Sequence, residues 1–165
     1  MTIGEHFYFA YGSNMNSQRV KRRGLDFTSV FAGTLKGYYL SFNKRSVVHL
    51  GAASANIMKQ SQDSHRNDFV EGVLYHLADE CQIELMDPYE GYPLRYDRIM
   101  VDVQTQEGVK SVWTYTANKA YLQEGLKPNT WYLEHLLAGK SYLSDEYYQR
   151  LRNTLCLPNS EVEPS

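Results

Sequence analysis

Apolar and aromatic residues fall in short runs broken by Gly, Pro, Asn and Asp, and the spacing within the runs changes along the chain. Residues 5–10 (EHFYFA) end in four consecutive apolar or aromatic positions, the pattern of a short strand buried on both faces. That run stops at Gly12, Ser13 and Asn14. The polar stretch 16–23 (NSQRVKRR) then reads as a short helix that starts at Asn14 or Asn16 and ends against Gly24. Aromatic and β-branched residues fill 28–45 and predict two strands, with Gly33 and Gly37 as bends or bulges. Residues 51–59 (GAASANIMK) are rich in small side chains, which either ease packing or let a ligand come close to the backbone. A polar loop is expected at 60–67 and a strand at 68–77.

Further on, residues 79–86 (DECQIELM) open on acids and carry Ile83, Leu85 and Met86. A short helix capped by Asp79 is expected there, ended by Pro88, with Tyr89, Glu90 and Gly91 at its exit. Residues 96–104 and 109–117 alternate as half-solvated antiparallel strands, joined by a hairpin connection at 105–108. Helical patterns follow at 128–139 and 144–155, the second opened by Ser144 with Asp145 and Glu146 in its first turn. Strands cluster early and do not alternate regularly with helices, which disfavours a doubly wound parallel sheet. The expected class is α+β, with a mixed, barrel-like β-sheet and flanking helices. A length of 165 residues fits one domain over 1–157, with 158–165 as a flexible tail.

Composition narrows the partners. The formal net charge is −2 with 22% charged residues, so there is no basic excess to meet a phosphate backbone and nucleic acid is not an expected partner. No apolar run reaches the roughly 18–20 residues that span a bilayer, so no membrane partner and a cytoplasmic location are expected. Cys81 and Cys156 lack CxxC spacing and the five histidines are scattered, so the thiols are expected to be reduced and structural, with no metal site. Fourteen tyrosines stand against six phenylalanines. Tyrosine joins an apolar ring to a hydroxyl, which suits half-wet cavity walls and ordinary strand surfaces alike.

Two places hold candidate chemistry. The strand-loop-helix around Gly12 points successive N–H groups at one spot, a pocket for an anion or a developing oxyanion; an ordinary turn capped by Asn has the same sequence. Glu90 is framed by Pro88, Gly91 and Pro93, and partial desolvation there would raise its pKa and suit it to act as base and then acid; a solvated Glu beside a turn fits equally. The run Lys21, Arg22, Arg23 reads as a solvated helix end. GxSxG and GxxxxGK[ST] motifs are absent.

Taken together, YFAYGSNM at the N-terminus and the Glu90-Gly91 pair resemble the gamma-glutamylcyclotransferase family. GAASANI at 51–57, VEGVLYHL at 70–77, EGYPLRYDRIMV at 90–101 and AGKSYLSDEYYQRL at 138–151 extend the resemblance in the family's order. It implies a barrel-like sheet with flanking helices and conversion of a gamma-glutamyl amino acid or amine to 5-oxoproline plus free amine. Glu90 would move the protons, and Tyr11, Gly12, Ser13, Asn14, Met15, Tyr96 and Tyr132 would bind the substrate. No cofactor or metal is implied, and the partner is a small gamma-glutamyl molecule bound by a monomer or homodimer. A non-catalytic module that binds a gamma-glutamyl or 5-oxoproline-like ligand is the alternative.

The resemblance leaves the leaving group open. The glutathione-specific branch shows YGSL where this chain has Asn14. EGYPLRYDR resembles the gamma-glutamylamine branch, whereas the N-terminal and C-terminal segments resemble the gamma-glutamyl-amino-acid branch. Arg95 and Arg98 are candidates to approach the substrate or its leaving group.

Overall fold

The computed structural model describes residues 5–63 and 65–164. Strand β1 (Phe7–Ala10) is buried at all four positions, as its unbroken apolar run requires. It pairs antiparallel with β5 (Phe69–Leu77) and touches β7 (Gly108–Ala117) in parallel at Tyr8 and Trp113. β5 pairs with β2 (Phe27–Lys36), β2 meets β6 (Tyr96–Thr105) at Thr34 and Gln104, and β6 forms a full-length hairpin with β7. The order β1-β5-β2-β6-β7 thus closes on itself as a barrel. This is the α+β, barrel-like architecture expected from the pattern, and the 96–104 and 109–117 strands pair as the hairpin predicted.

The two strands expected within 28–45 are present, but they do not pair with each other. Gly37, at φ 83, turns the chain out of β2 into β3 (Tyr38–Arg45), which instead pairs with β4 (Ala53–Lys59) as a separate two-stranded sheet. Gly33 is neither bend nor bulge. It keeps regular register with Gly72, and a Cβ at Gly33 would stand 2.7 Å from a Val103 methyl, so the glycine serves close packing across the barrel.

Four helices flank the sheets: α1 (Ser17–Arg22), α2 (Gln82–Glu90), α3 (Thr130–Leu137) and α4 (Asp145–Arg152). Asn16 caps α1 by accepting from Gln18 N–H, and Ser144 caps α4 by accepting from Tyr147 N–H. α2 departs from expectation at both ends. Asp79 accepts from the N–H of Cys81, which itself stands at the helix start, and Pro88 lies inside the helix. The proline costs the helix its N–H bond back to the Glu84 carbonyl, and only two helical residues follow it. The stop is Gly91, at φ 70, whose N–H returns to the Pro88 carbonyl while Tyr92 N–H returns to Asp87. Glu90 is therefore the last helical residue.

The C-terminal segment returns to the body of the protein. Ser160 accepts from Trp131 N–H through its carbonyl and from Thr130 N–H through its hydroxyl, supplying the N-terminal cap of α3 that Asn129 does not. Glu163 pairs with Arg19 at 3.1 Å and with His135 at 3.0 Å. No helix among the described residues is long and apolar enough to cross a membrane.

Candidate active site

The site forms where β1 runs out between the barrel and the β3-β4 sheet. Beyond Ala10 the chain passes through Tyr11 and Gly12 into a 3-10 turn at Ser13–Met15, and Gly12 accepts from Met15 N–H while Ser13 accepts from Asn16 N–H. The N–H groups of Gly12, Ser13 and Asn14 make no hydrogen bond among the described residues. These three residues line a tight inner cavity of about 30 Å³ together with Tyr8, Tyr11, Tyr96, Thr114, Tyr115, Tyr132, Ala55 and Glu90. An outer groove of about 270 Å³ shares Ser13, Glu90, Tyr96 and Tyr132 with it.

Tyrosine hydroxyls fix the walls. Tyr96 donates to the Ala55 carbonyl at 2.7 Å, Tyr132 accepts from Ala55 N–H at 2.9 Å, and Tyr11 donates to the Tyr115 carbonyl at 2.6 Å. The small residues of β4 thus bring backbone to the cavity wall, where both main-chain groups of Ala55 are held by tyrosine hydroxyls. Gly12, at φ −111, sits in a confined space. A Cβ there would stand 3.2 Å from the Tyr132 hydroxyl and 3.3 Å from Ala55 Cβ. Gly12→Ala is expected to weaken 5-oxoproline binding about tenfold with melting temperature little changed, since the new methyl takes its room from the cavity. Calorimetric titration checks this.

Asn14 is the hub. Buried at 2% exposure, its amide nitrogen donates to Glu90 Oε1 at 3.1 Å and to the Tyr8 hydroxyl at 2.9 Å. Its amide oxygen accepts from Arg23 at 3.0 Å, and its carbonyl accepts from Tyr75 at 2.6 Å. Glu90 is half-buried and lines both the cavity and the groove. Burial raises its pKa above the ordinary carboxylate value, against the opposing pull of Arg23, Arg19, Lys44 and Arg95. Burial raises the pKa of the Tyr8, Tyr11, Tyr96 and Tyr132 hydroxyls too, with the Glu90 charge adding to it, so each of these phenols stays protonated.

Of the residues singled out in the sequence, Tyr11, Gly12, Ser13, Asn14, Glu90, Tyr96 and Tyr132 line the one inner cavity. Met15 does not. Its side chain is in the core at 1% exposure, packed beside Gly139, because the 3-10 turn carries it to the face opposite the cavity. Arg98 is also directed elsewhere: it pairs with Asp87 at 2.6 Å and lies over the Tyr92 and Trp113 rings. Since Asp87 also accepts from the Tyr115 hydroxyl at 2.7 Å, Arg98 and Tyr115 together pin α2 to the hairpin and set where Glu90 stands. Tyr8, Tyr115, Thr114 and Ala55 were not picked out from the sequence. The tyrosine excess was their signal, since five tyrosines line this cavity. Among the described residues no group of three or more His, Cys, Asp or Glu gathers as a metal site.

The site thus combines a closed barrel, N–H donors where β1 runs out, tyrosine walls and one partly buried carboxylate. The chain belongs to the gamma-glutamyl cyclotransferase, AIG2-like family, whose sequence model matches residues 8–134. No curated protein sequence matches it. Among solved structures, it is similar to one described as a gamma-glutamyl cyclotransferase, with TM-score 0.76 and 23% identity over 95% of this chain and 92% of that one. A Homo sapiens protein described as uncharacterized aligns with TM-score 0.76 and 24% identity over 93% and 90% of the two chains. The YkqA protein of Bacillus subtilis aligns with TM-score 0.74 and 23% identity over 90% of this chain and 53% of that one. Family and fold together support a gamma-glutamyl cyclotransferase-like activity.

Proposed function

We propose that the protein converts gamma-glutamyl amides, of an amino acid or an amine, to 5-oxoproline and the free amine. The observation that carries this reading is the Glu90 carboxylate, desolvated yet hydrogen-bonded by Asn14, at the junction of a cavity with free N–H donors and an open groove. The glutamyl half, which becomes the compact ring, sits at the mouth of the cavity where it meets the groove, and the amine half extends along the groove. Such a substrate holds its own nucleophile. Near neutral pH its alpha-amine is mostly protonated, so Glu90 first removes a proton and frees the nitrogen lone pair.

That nitrogen then attacks the gamma-carbonyl carbon, the carbonyl electrons move onto oxygen, and the collapse of this tetrahedral species breaks the bond to the leaving nitrogen. Both protons lost by the attacking nitrogen are gained by the leaving one, with Glu90 as carrier, so the carboxylate ends as it began. The N–H groups of Gly12, Ser13 and Asn14 supply donors for the oxyanion or for the substrate's alpha-carboxylate. Confinement brings amine and carbonyl together, where the free, extended chain seldom does.

The test is a panel of gamma-glutamyl amino acids, gamma-glutamyl amines and glutathione, read by 5-oxoproline release. Release from at least one member that depends on Glu90 supports the proposal. Tight binding without release from any member would instead mark a ligand-binding module.

A further inference from the structure

The outer groove is lined by Arg19, Arg23, Lys44 and Arg95, and Glu90 is the only acid among the described residues around it. Two of the four cations are committed. Arg23 donates to Asn14 and covers the Tyr89 ring, and Arg19 is tied to Glu163 and His135. Lys44 and Arg95 are different. Neither makes a side-chain hydrogen bond or an ion pair among the described residues, although each feels the Glu90 charge.

Lys44 reaches the groove from β3 and is only 5% exposed, its ammonium set 5.6 and 5.7 Å from the rings of Tyr96 and Tyr121. Burial, and then the neighbouring Arg95 charge, lower its pKa to about 8. Arg95 arrives from the turn between α2 and β6, its guanidinium lying against Gly91, where a side chain would displace it. Two neighbouring positive charges, one of them buried, without a counter-ion of their own among the described residues repel each other, and an anion placed between them relieves this. The groove, at about 270 Å³ against about 30 Å³ for the inner cavity, is also where the reading above puts the leaving half.

We infer that Lys44 and Arg95 form a carboxylate subsite for the leaving half of the substrate, so that gamma-glutamyl amino acids, or short peptides ending in a free carboxylate, are preferred over gamma-glutamyl amines. This rests on the cyclotransferase reading above. On this inference the loop N–H donors take the glutamyl group's own carboxylate rather than the oxyanion. The carboxylate of the leaving half therefore accounts for the second, separate set of cations.

The matched pair gamma-glutamyl-alanine and gamma-glutamylethylamide differs by that one carboxylate and isolates its effect. Wild type is expected to favour gamma-glutamyl-alanine by roughly ten- to hundredfold in kcat/KM, chiefly through KM, as charged hydrogen bonds of this kind discriminate. In Lys44→Met and Arg95→Met the ratio between the two substrates should collapse toward one, and Lys44→Arg should restore much of it. Any effect of the lost charge on Glu90 acts on both substrates alike and cancels in the ratio. A wild-type ratio near one, or an equal loss on both substrates that leaves the ratio intact, overturns the subsite; the second result would assign the pair to the glutamyl carboxylate. Should wild type release 5-oxoproline from neither compound nor from any other member of the panel above, the cyclotransferase reading falls. Calorimetric binding of the same two compounds to wild type and Lys44→Met then decides the subsite by itself.

Discussion

Glu90→Gln is expected to fold as wild type does and to lose 5-oxoproline release by about 10³-fold or more in kcat, with KM little altered. The amide keeps the acceptor and the shape near Asn14 but takes no proton from an ammonium, and positioned acid-base groups contribute on the order of 10²–10⁴. Wild-type turnover would remove Glu90 from the mechanism. The same carboxyl sets the pH profile. Burial holds its pKa above the ordinary carboxylate value, so kcat/KM in wild type should fall, as pH is lowered, through a limb lying above that ordinary value.

Stability carries an opposite signature. A carboxyl whose folded pKa is raised stabilises the fold while protonated, and this contribution is lost as pH rises through the folded pKa. At neutral pH wild type therefore holds a buried carboxylate at a cost that glutamine removes. Glu90→Gln should melt higher than wild type near pH 7–8, and the gap should close as pH falls below about 4, where the free carboxyl is also protonated. A variant less stable than wild type at neutral pH would show that the four nearby cations outweigh desolvation.

How far the sequence shows this site depends on the range of the interactions that build it. Patterns local to one segment are legible: the buried run of β1, the Ser144 cap of α4 and the 105–108 hairpin follow from neighbours along the chain. Pro88 misleads for the same reason. It reads as a stop, while the stop is Gly91 three residues on, so Glu90 moves from a loop to the end of a helix. What the sequence hides is long-range. Asn14 and Glu90 are 76 positions apart and Tyr132 and Ala55 are 77 apart, and only closure of the barrel and the turning away of β3 bring them together. Met15 and Arg98 adjoin site residues in sequence, yet a 3-10 turn and an ion pair to Asp87 direct them elsewhere. Lys44 looks like any strand lysine until β3 leaves the barrel and buries it at the rim of the groove.

Asn14→Leu tests whether the loop does more than shape the cavity. Leucine fills a similar volume, so the change deletes hydrogen bonds with little loss of packing: the donors to Glu90 and Tyr8 and the acceptor from Arg23 go, while the backbone carbonyl held by Tyr75 stays. Glu90 is then free to rotate, and misplacement of a reacting group by about 1 Å costs on the order of 10² in rate. The expected result is a kcat reduced by roughly 10²-fold. Arg23, released from Asn14, remains a charge near Glu90 but no longer has a fixed position. A purely structural role for Asn14 would lower the amount of folded protein and leave the pH profile where it is. Loss of a donor to the carboxylate instead favours its neutral form, so the acid limb of kcat/KM should move to higher pH in Asn14→Leu, and Asn14→Asp should not restore the rate, because it sets a second carboxylate against Glu90. An unshifted acid limb with near-normal kcat would mean that Glu90 is held by the cavity walls alone.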